Sequence, residues 1–248
     1  MALKDEMERS GERLFRWRNY PPALFFGVIL WGVRGMRDSS GTAIPEGMWE
    51  LICIAVSVLG LVLRIWVVGT AAPSTSGGNR RGQKAGSVNT TGAYSMVRHP
   101  LYLGALLSWT GVALFPRSPG ILIITWLLFW VYYERIMIAE ESFLERKFGP
   151  AYTEWANGTP ALFPRFRNYV TPQRPFSLRR ALRREYSSWL AAATPLFAVK
   201  VYSDYVLSGT WRVDRVWLIG FAGVCILAGV IRSLKHYTKL LDSNREPV

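Results

Sequence analysis

Hydropathy constrains this chain more than any other feature. Its apolar residues are gathered into blocks of membrane-spanning length. The block 51–68 holds a single charge, Arg64, and the blocks 121–133 and 217–231 hold none. Between Trp189 and Gly209 the only charges are Lys200 and Asp204. Runs of about 18–20 apolar residues are long enough to cross a bilayer as helices. A water-soluble helical protein would need a polar face on each such helix, and these blocks have none. The expected fold is therefore all-α, a polytopic integral membrane protein with about six transmembrane helices, near 20–34, 47–70, 101–115, 119–138, 187–207 and 214–231. The third and fourth are separated only by the turn 115–119, which predicts a helical hairpin.

Charge orients these helices. The chain has 30 Lys and Arg against 17 Asp and Glu. Twenty-three of the cations fall before span one, in 71–100, in 135–184 or in the C-terminal tail, all of which this topology places on one side. Five fall on the other: Arg34, Arg37, Arg117, Arg212 and Arg215. Positive residues stay on the cytoplasmic side, so both termini are expected there, in a bacterial inner membrane. A basic chain can also bind nucleic acid, but this charge follows topology, and no nucleic-acid partner is expected. Cys53 and Cys225 lie in apolar blocks and read as buried thiols. With only His99 and His236 available, no metal site is expected.

Two polar segments carry chemistry. In GAYSMVRHPLYLG, residues 92–104, Pro100 suits the first turn of a helix and drives His99 away from helical geometry. A helix is expected to begin at Pro100, with Arg98 and His99 held at its N-terminus. The free N–H groups there and the Arg98 charge make an anion-binding corner, flanked by Tyr94 and Tyr102. Interfacial anchoring of Arg98 and the tyrosines is the competing reading. The second segment, 132–164, brings Glu134, Glu140 and Glu141 out of span four on one helix. They can receive a cationic ligand or pair with Arg135, Arg146 and Lys147. Gly149 and Pro150 end the helix, and Tyr152 and Trp155 follow. An anion corner beside a carboxylate pair suits a zwitterion such as an amino-acid group. The Gly- and Ser-rich stretch 73–88 reads as a loop, either a linker or a flap.

RHPLYLG, followed about 35 residues later by EESFLERKFGPAYTEW, resembles the isoprenylcysteine carboxyl methyltransferase and phospholipid methyltransferase family, in its smaller prokaryotic form. The resemblance covers about 86–167. It divides the chain into an N-terminal part, 1–85, with two spans, a methyltransferase core, 86–167, and a C-terminal part, 168–248, with a basic interfacial helix and two further spans. It implies a cofactor, S-adenosylmethionine, in a site facing the cytoplasm. By position, Arg98, His99, Tyr102, Glu140, Glu141, Phe148 and Tyr152 are its implied ligands, and Tyr94, beside the anion corner, is expected to join them.

The acceptor is then a lipid or lipid-like molecule. An oxyanion acceptor requires placement but no general base, and Arg135 is the residue expected to place it. The segment 171–186, with Arg179, Arg180, Arg183 and Arg184, reads as an interfacial helix on anionic lipid. Phosphate methylation of the lipid A 1-phosphate type, associated with bacterial relatives, is preferred. Carboxyl methylation of an isoprenylcysteine-like substrate follows, and then phospholipid N-methylation, which needs a base. Sterol reductases share an Arg-His-Pro-x-Tyr-x-Gly segment and bind NADPH, but lack the adjacent glutamates.

Overall fold

The computed structural model describes residues 3–16, 21–36, 44–72, 85–238 and 240–241. The part of the expected loop at 73–84 lies outside them. The described residues form helices and no strands, apart from one isolated bridge between Gly92 and Val170. In order they are α1 (Leu3–Arg16), α2 (Pro21–Val33), α3 (Glu46–Thr70), the short α4 (Ala93–Met96), α5 (Pro100–Leu114), α6 (Pro119–Phe148), α7 (Pro150–Gly158), α8 (Leu178–Ser208) and α9 (Arg215–Tyr237).

Local chemistry sets these boundaries. Proline opens α5, α6 and α7 at positions whose N–H would have no helical partner anyway. The Ser118 hydroxyl caps α6 by accepting from Ile121 N, and Asp214 caps α9 by accepting from Val216 N at 2.7 Å. Gly149, at φ 55°, both ends α6 and starts α7, a conformation that costs other residues more than glycine.

Three of the helices, α3, α6 and α9, are long and apolar enough to cross a membrane. Two shorter apolar helices accompany them, Ala23–Val33 within α2, and α5. Leu51 and Leu59 on α3, Leu127 on α6, and Ile219 and Ile226 on α9 all expose their side chains. Apolar faces of this extent suit hydrocarbon rather than water.

α8 differs from expectation. The basic stretch up to residue 186 is not a separate interfacial helix. It forms the first turns of a helix that runs unbroken for 31 residues. No glycine or proline falls between Leu178 and Thr194 to part the basic stretch from the apolar one, and the helix continues through Pro195.

The tightest packing joins α3 to α5. It is a seam of small residues, Ser57 and Gly60 against Gly104, Ser108 and Gly111. A Cβ on Gly60 would fall 2.4 Å from the Gly104 carbonyl oxygen, and one on Gly111 would fall 2.1 Å from Ser57 Oγ. Ser57 Oγ donates to Ser108 O at 2.9 Å. Where lipid already solvates apolar side chains, helices associate through such close backbone approach and interhelical hydrogen bonds.

Polar clusters fasten the two ends of the bundle. At one end Arg64 of α3 meets Glu185 of α8 through two hydrogen bonds, 2.8 and 3.1 Å, and gives a third to Leu101 O in the first turn of α5. At the other, Lys200 of α8 lies 2.8 Å from Glu50 and 2.7 Å from Asp204, and Trp217 Nε1 of α9 donates to Glu50. Charges within spans are costly unless paired, and both lone-looking cations are paired. Cys53 is buried and Cys225 half-buried, both as free thiols.

Candidate functional site

Arg98, His99 and Pro100 sit at the end of the bundle where α5 begins and α6 leaves it. His99 is the N-cap of α5, at φ −121° and ψ 60°, the non-helical geometry that the following proline enforces. A strap after α7 holds this corner by backbone pairing. Arg98 N donates to Pro160 O at 2.8 Å, and His99 N to Ala161 O at 3.1 Å.

Five side chains meet here, two from α6 and three from the start of α5 and the two residues before it. His99 Nε2 lies 2.8 Å from Glu141 Oε1, and Arg98 Nη1 donates to Glu141 Oε2 at 3.1 Å. Tyr102 OH donates to Glu140 Oε1 at 2.8 Å, and His99 Nδ1 is 3.7 Å from Glu140 Oε2. Adjacent glutamates on α6 thus divide the corner between them. Glu141 takes the Arg98–His99 pair, while Glu140 takes Tyr102. The rings stack outward from this point: His99 on Tyr102 at 5.7 Å, and Tyr102 against Tyr133 at 5.0 Å. The imidazole is buried, while the carboxylates and the guanidinium are each about one quarter exposed. The site is therefore buried at His99 and partly open at its charged groups.

The other expected ligands fall around this core unequally. Tyr152 is buried, with its ring 5.6 Å from Trp155. Burial, with the Glu141 charge next in weight, pushes its hydroxyl above the ordinary tyrosine value. Tyr94 on α4 is raised in the same way, by burial and then by Glu140. Both hydroxyls therefore stay protonated at neutral pH. Phe148 stands farther along α6, with the Lys147 ammonium 5.5 Å above its ring. Among the buried donors without a hydrogen-bond partner in the described residues are Arg98 Nε and Trp155 Nε1.

The arginines expected to hold an acceptor are more scattered. Arg135 points elsewhere: its guanidinium curls back to Val131 O at 2.7 Å, and its backbone faces Gly11 of α1. The helical turn sets it about 140° from Glu140. Arg180, read from the sequence as lipid-facing, is instead buried, donating to Gly69 O and Ala71 O at the end of α3. It satisfies carbonyls left open by the last turn of that helix. Arg179 is exposed, and Arg183 donates to Leu241 O. Arg184, ahead of the apolar part of α8, is held below the ordinary arginine value by burial and by Arg180 and Arg183. That marks an electropositive spot.

Sequence reasoning passed over two features. Arg64 was noted only as a charge within a span, although an intramembrane arginine calls for an acid, and Glu185 is the lone acid of its basic stretch. The run TPALFP, 159–164, reads in sequence only as a return to the interface, and its hold on Arg98 and His99 left no signal because it acts through carbonyl oxygens. No group of three or more His, Cys, Asp or Glu residues is placed to hold a metal among the described residues.

Residues 47–151 match the phospholipid methyltransferase family model. The match takes in α3, α5, the Arg98–His99 corner and Glu140–Glu141. Two curated proteins align over a shorter stretch. The cobalt-zinc-cadmium resistance protein CzcN of Cupriavidus metallidurans is 36% identical over 88 residues, 36% of this chain and 40% of that protein. The nickel-cobalt-cadmium resistance protein NccN of Alcaligenes xylosoxydans xylosoxydans is 37% identical over 84 residues, 34% of this chain and 39% of that protein. The aligned part thus spans about two fifths of the length of these relatives. No solved structure matches the chain.

Proposed function

We propose that this membrane protein, whose segment 47–151 matches the phospholipid methyltransferase family, binds S-adenosylmethionine at the Arg98–His99–Glu140–Glu141 corner. It would methylate the anionic headgroup of a lipid or lipid-like molecule there. The observation that carries this reading is the meeting of donors and adjacent carboxylates: Arg98 and His99 lie 2.8–3.1 Å from Glu141, and His99 lies 3.7 Å from Glu140. An amino-acid zwitterion exchanges such partners for its own charges, its carboxylate going to Arg98 and His99 and its ammonium to a glutamate. The unpartnered Arg98 Nε and Trp155 Nε1 supply further donors, and leaving buried donors unmet is costly. Tyr102, Tyr133 and Tyr152 offer ring faces to an adenine and to a sulfonium.

S-adenosylmethionine supplies an electrophilic methyl group carried by sulfur. The chain's part is to hold and align. The strap and the proline fix Arg98 and His99, while Glu140 and Glu141 are fixed on the rigid helix α6. Alignment of this kind accounts for a large share of rate in a two-partner reaction. An oxyanion acceptor needs no base, whereas an amine must lose a proton. Lipid phosphate, of the lipid A 1-phosphate type, is the preferred acceptor, ahead of an isoprenylcysteine-like carboxylate. In this reading Arg135 places the acceptor. To do so it releases Val131 O, a hydrogen bond worth about 1 kcal/mol, and its long side chain reaches round α6 from a position about 140° from Glu140. Arg179, Arg183 and Arg184 draw the headgroup in. The chain crosses the bilayer six times, with the hairpin at α5 and α6 and both termini cytoplasmic.

The test is transfer of labelled methyl from S-adenosylmethionine into total bacterial lipid, followed by separation of the labelled products. Label in a lipid phosphate ester supports the proposal. Label in an amine headgroup moves the acceptor to nitrogen, and no label in lipid removes the lipid reading.

A further inference from the structure

Residues 159–178 present a surface that the cofactor corner does not use. The inner side of this strap is committed. Beyond its bonds to Arg98 and His99, Arg165 N donates to Met96 O at 2.9 Å and Gly92 N to Val170 O at 2.8 Å, and Leu162 is buried. The outer side is apolar and open. Phe163 and Phe166 are 73% and 74% exposed, and Tyr169 and Phe176 are about half exposed. Exposed arginines alternate with these rings at 165, 167 and 174, and no Asp or Glu occurs from 155 to 184.

Two large, freely exposed phenylalanines three residues apart are unusual on a surface that meets only water. Aromatic rings interleaved with arginine, without acids, match the layer where headgroups meet hydrocarbon. Position agrees. The apolar helix α5 starts at Pro100, directly beside the strap, and α8 starts at its end. The strap therefore lies where those helices enter the membrane.

We propose that the 159–178 strap is a docking surface for an anionic bilayer. Phe163 and Phe166 insert among the acyl chains, while Arg165, Arg167 and Arg174 bind lipid phosphates. The same strap carries the Pro160 and Ala161 carbonyls that hold the Arg98 and His99 amides. Docking therefore fixes that corner at headgroup height, where a lipid acceptor presents its polar end. The surface itself does not depend on the methyl-transfer reading, and its test uses no cofactor.

The test is depth measurement by spin-label power saturation in nanodiscs. Single cysteines replace Phe163, Phe166 or Glu154 of the full chain, in a Cys53→Ala/Cys225→Ala background. Glu154 is an exposed position on α7 and serves as the aqueous reference. In nanodiscs rich in phosphatidylglycerol, labels at 163 and 166 are expected to relax faster with oxygen than with a water-soluble nickel chelate, and the label at 154 the reverse. In pure phosphatidylcholine, or after Arg165→Gln/Arg167→Gln, the depth at 163 and 166 should decrease. Aqueous labels at 163 and 166 in phosphatidylglycerol overturn the proposal. Equal depth in both lipids overturns the anionic partner. The comparison of the two lipids on otherwise unaltered protein stands even if the arginine variant fails to fold.

Discussion

Arg64 and Glu185 offer a sharp test of how this bundle is held together. Glu185 is only 4% exposed and takes two hydrogen bonds from Arg64, which also binds Leu101 O and Ser188 Oγ. Arg64→Met leaves a buried carboxylate without its cation, a loss of about 3–5 kcal/mol. At about 2–4 °C per kcal/mol for a chain of this size, the melting temperature should fall by roughly 6–20 °C. Glu185→Leu should cost less, because Arg64 is about one fifth exposed and keeps Leu101 O. The double variant removes both charges together. Neighbouring residues of one network couple by about 0.5–3 kcal/mol, so its loss should be clearly smaller than the two single losses combined. Cys53 is fully buried, so a thiol-reactive dye in a Cys225→Ser background reports unfolding in detergent. Strict additivity, or an unshifted Arg64→Met, would refute the claim that this pair locks α3 to α8.

Arg135→Ala should leave S-adenosylmethionine affinity intact while single-turnover methyl transfer to anionic lipid falls about a hundredfold, the scale of one lost transition-state contact. Arg135→Lys should recover little of it, since a point charge cannot replace the guanidinium fork; a normal rate in folded Arg135→Ala would end the acceptor role. Gly111→Leu should abolish folded yield in size-exclusion chromatography, because even a Cβ there meets Ser57 Oγ at 2.1 Å, and wild-type yield would contradict the small-residue seam. Impermeant thiol labelling of single-cysteine cells should reach position 208 from outside but not position 76; labelling at 76 would reverse the topology.

Local signals were readable where one residue decides the matter. Pro100 alone sets both the start of α5 and the non-helical geometry of His99. The run of α6 from the apolar block through Glu140–Glu141 to Gly149 follows from the absence of any breaker before that glycine. Partnership was less readable. Nothing in hydropathy assigns Glu141 to Arg98 and His99 and Glu140 to Tyr102, because these contacts join residues some 40 positions apart. Arg180 shows the same limit. Four arginines in six positions look alike in sequence, and only packing against the last turn of α3 turns one of them inward. The grip of the strap at 159–161 on Arg98 and His99 could not be read, since it comes from carbonyl oxygens that every residue has.

The central claim is that the Arg98–His99–Glu140–Glu141 corner receives S-adenosylmethionine. Calorimetric titration of the purified protein in detergent tests it most directly, with NADPH as the comparison ligand and His99→Ala and Glu140→Ala as variants. Each variant removes a contact to a charged group worth about 1.5–3 kcal/mol, so affinity should drop roughly ten- to a hundredfold while the melting curve stays near wild type. Saturable S-adenosylmethionine binding that weakens in both variants, with no NADPH binding, is the predicted result. Folded wild-type protein that binds NADPH instead, or S-adenosylmethionine affinity unchanged in both variants, would contradict the account.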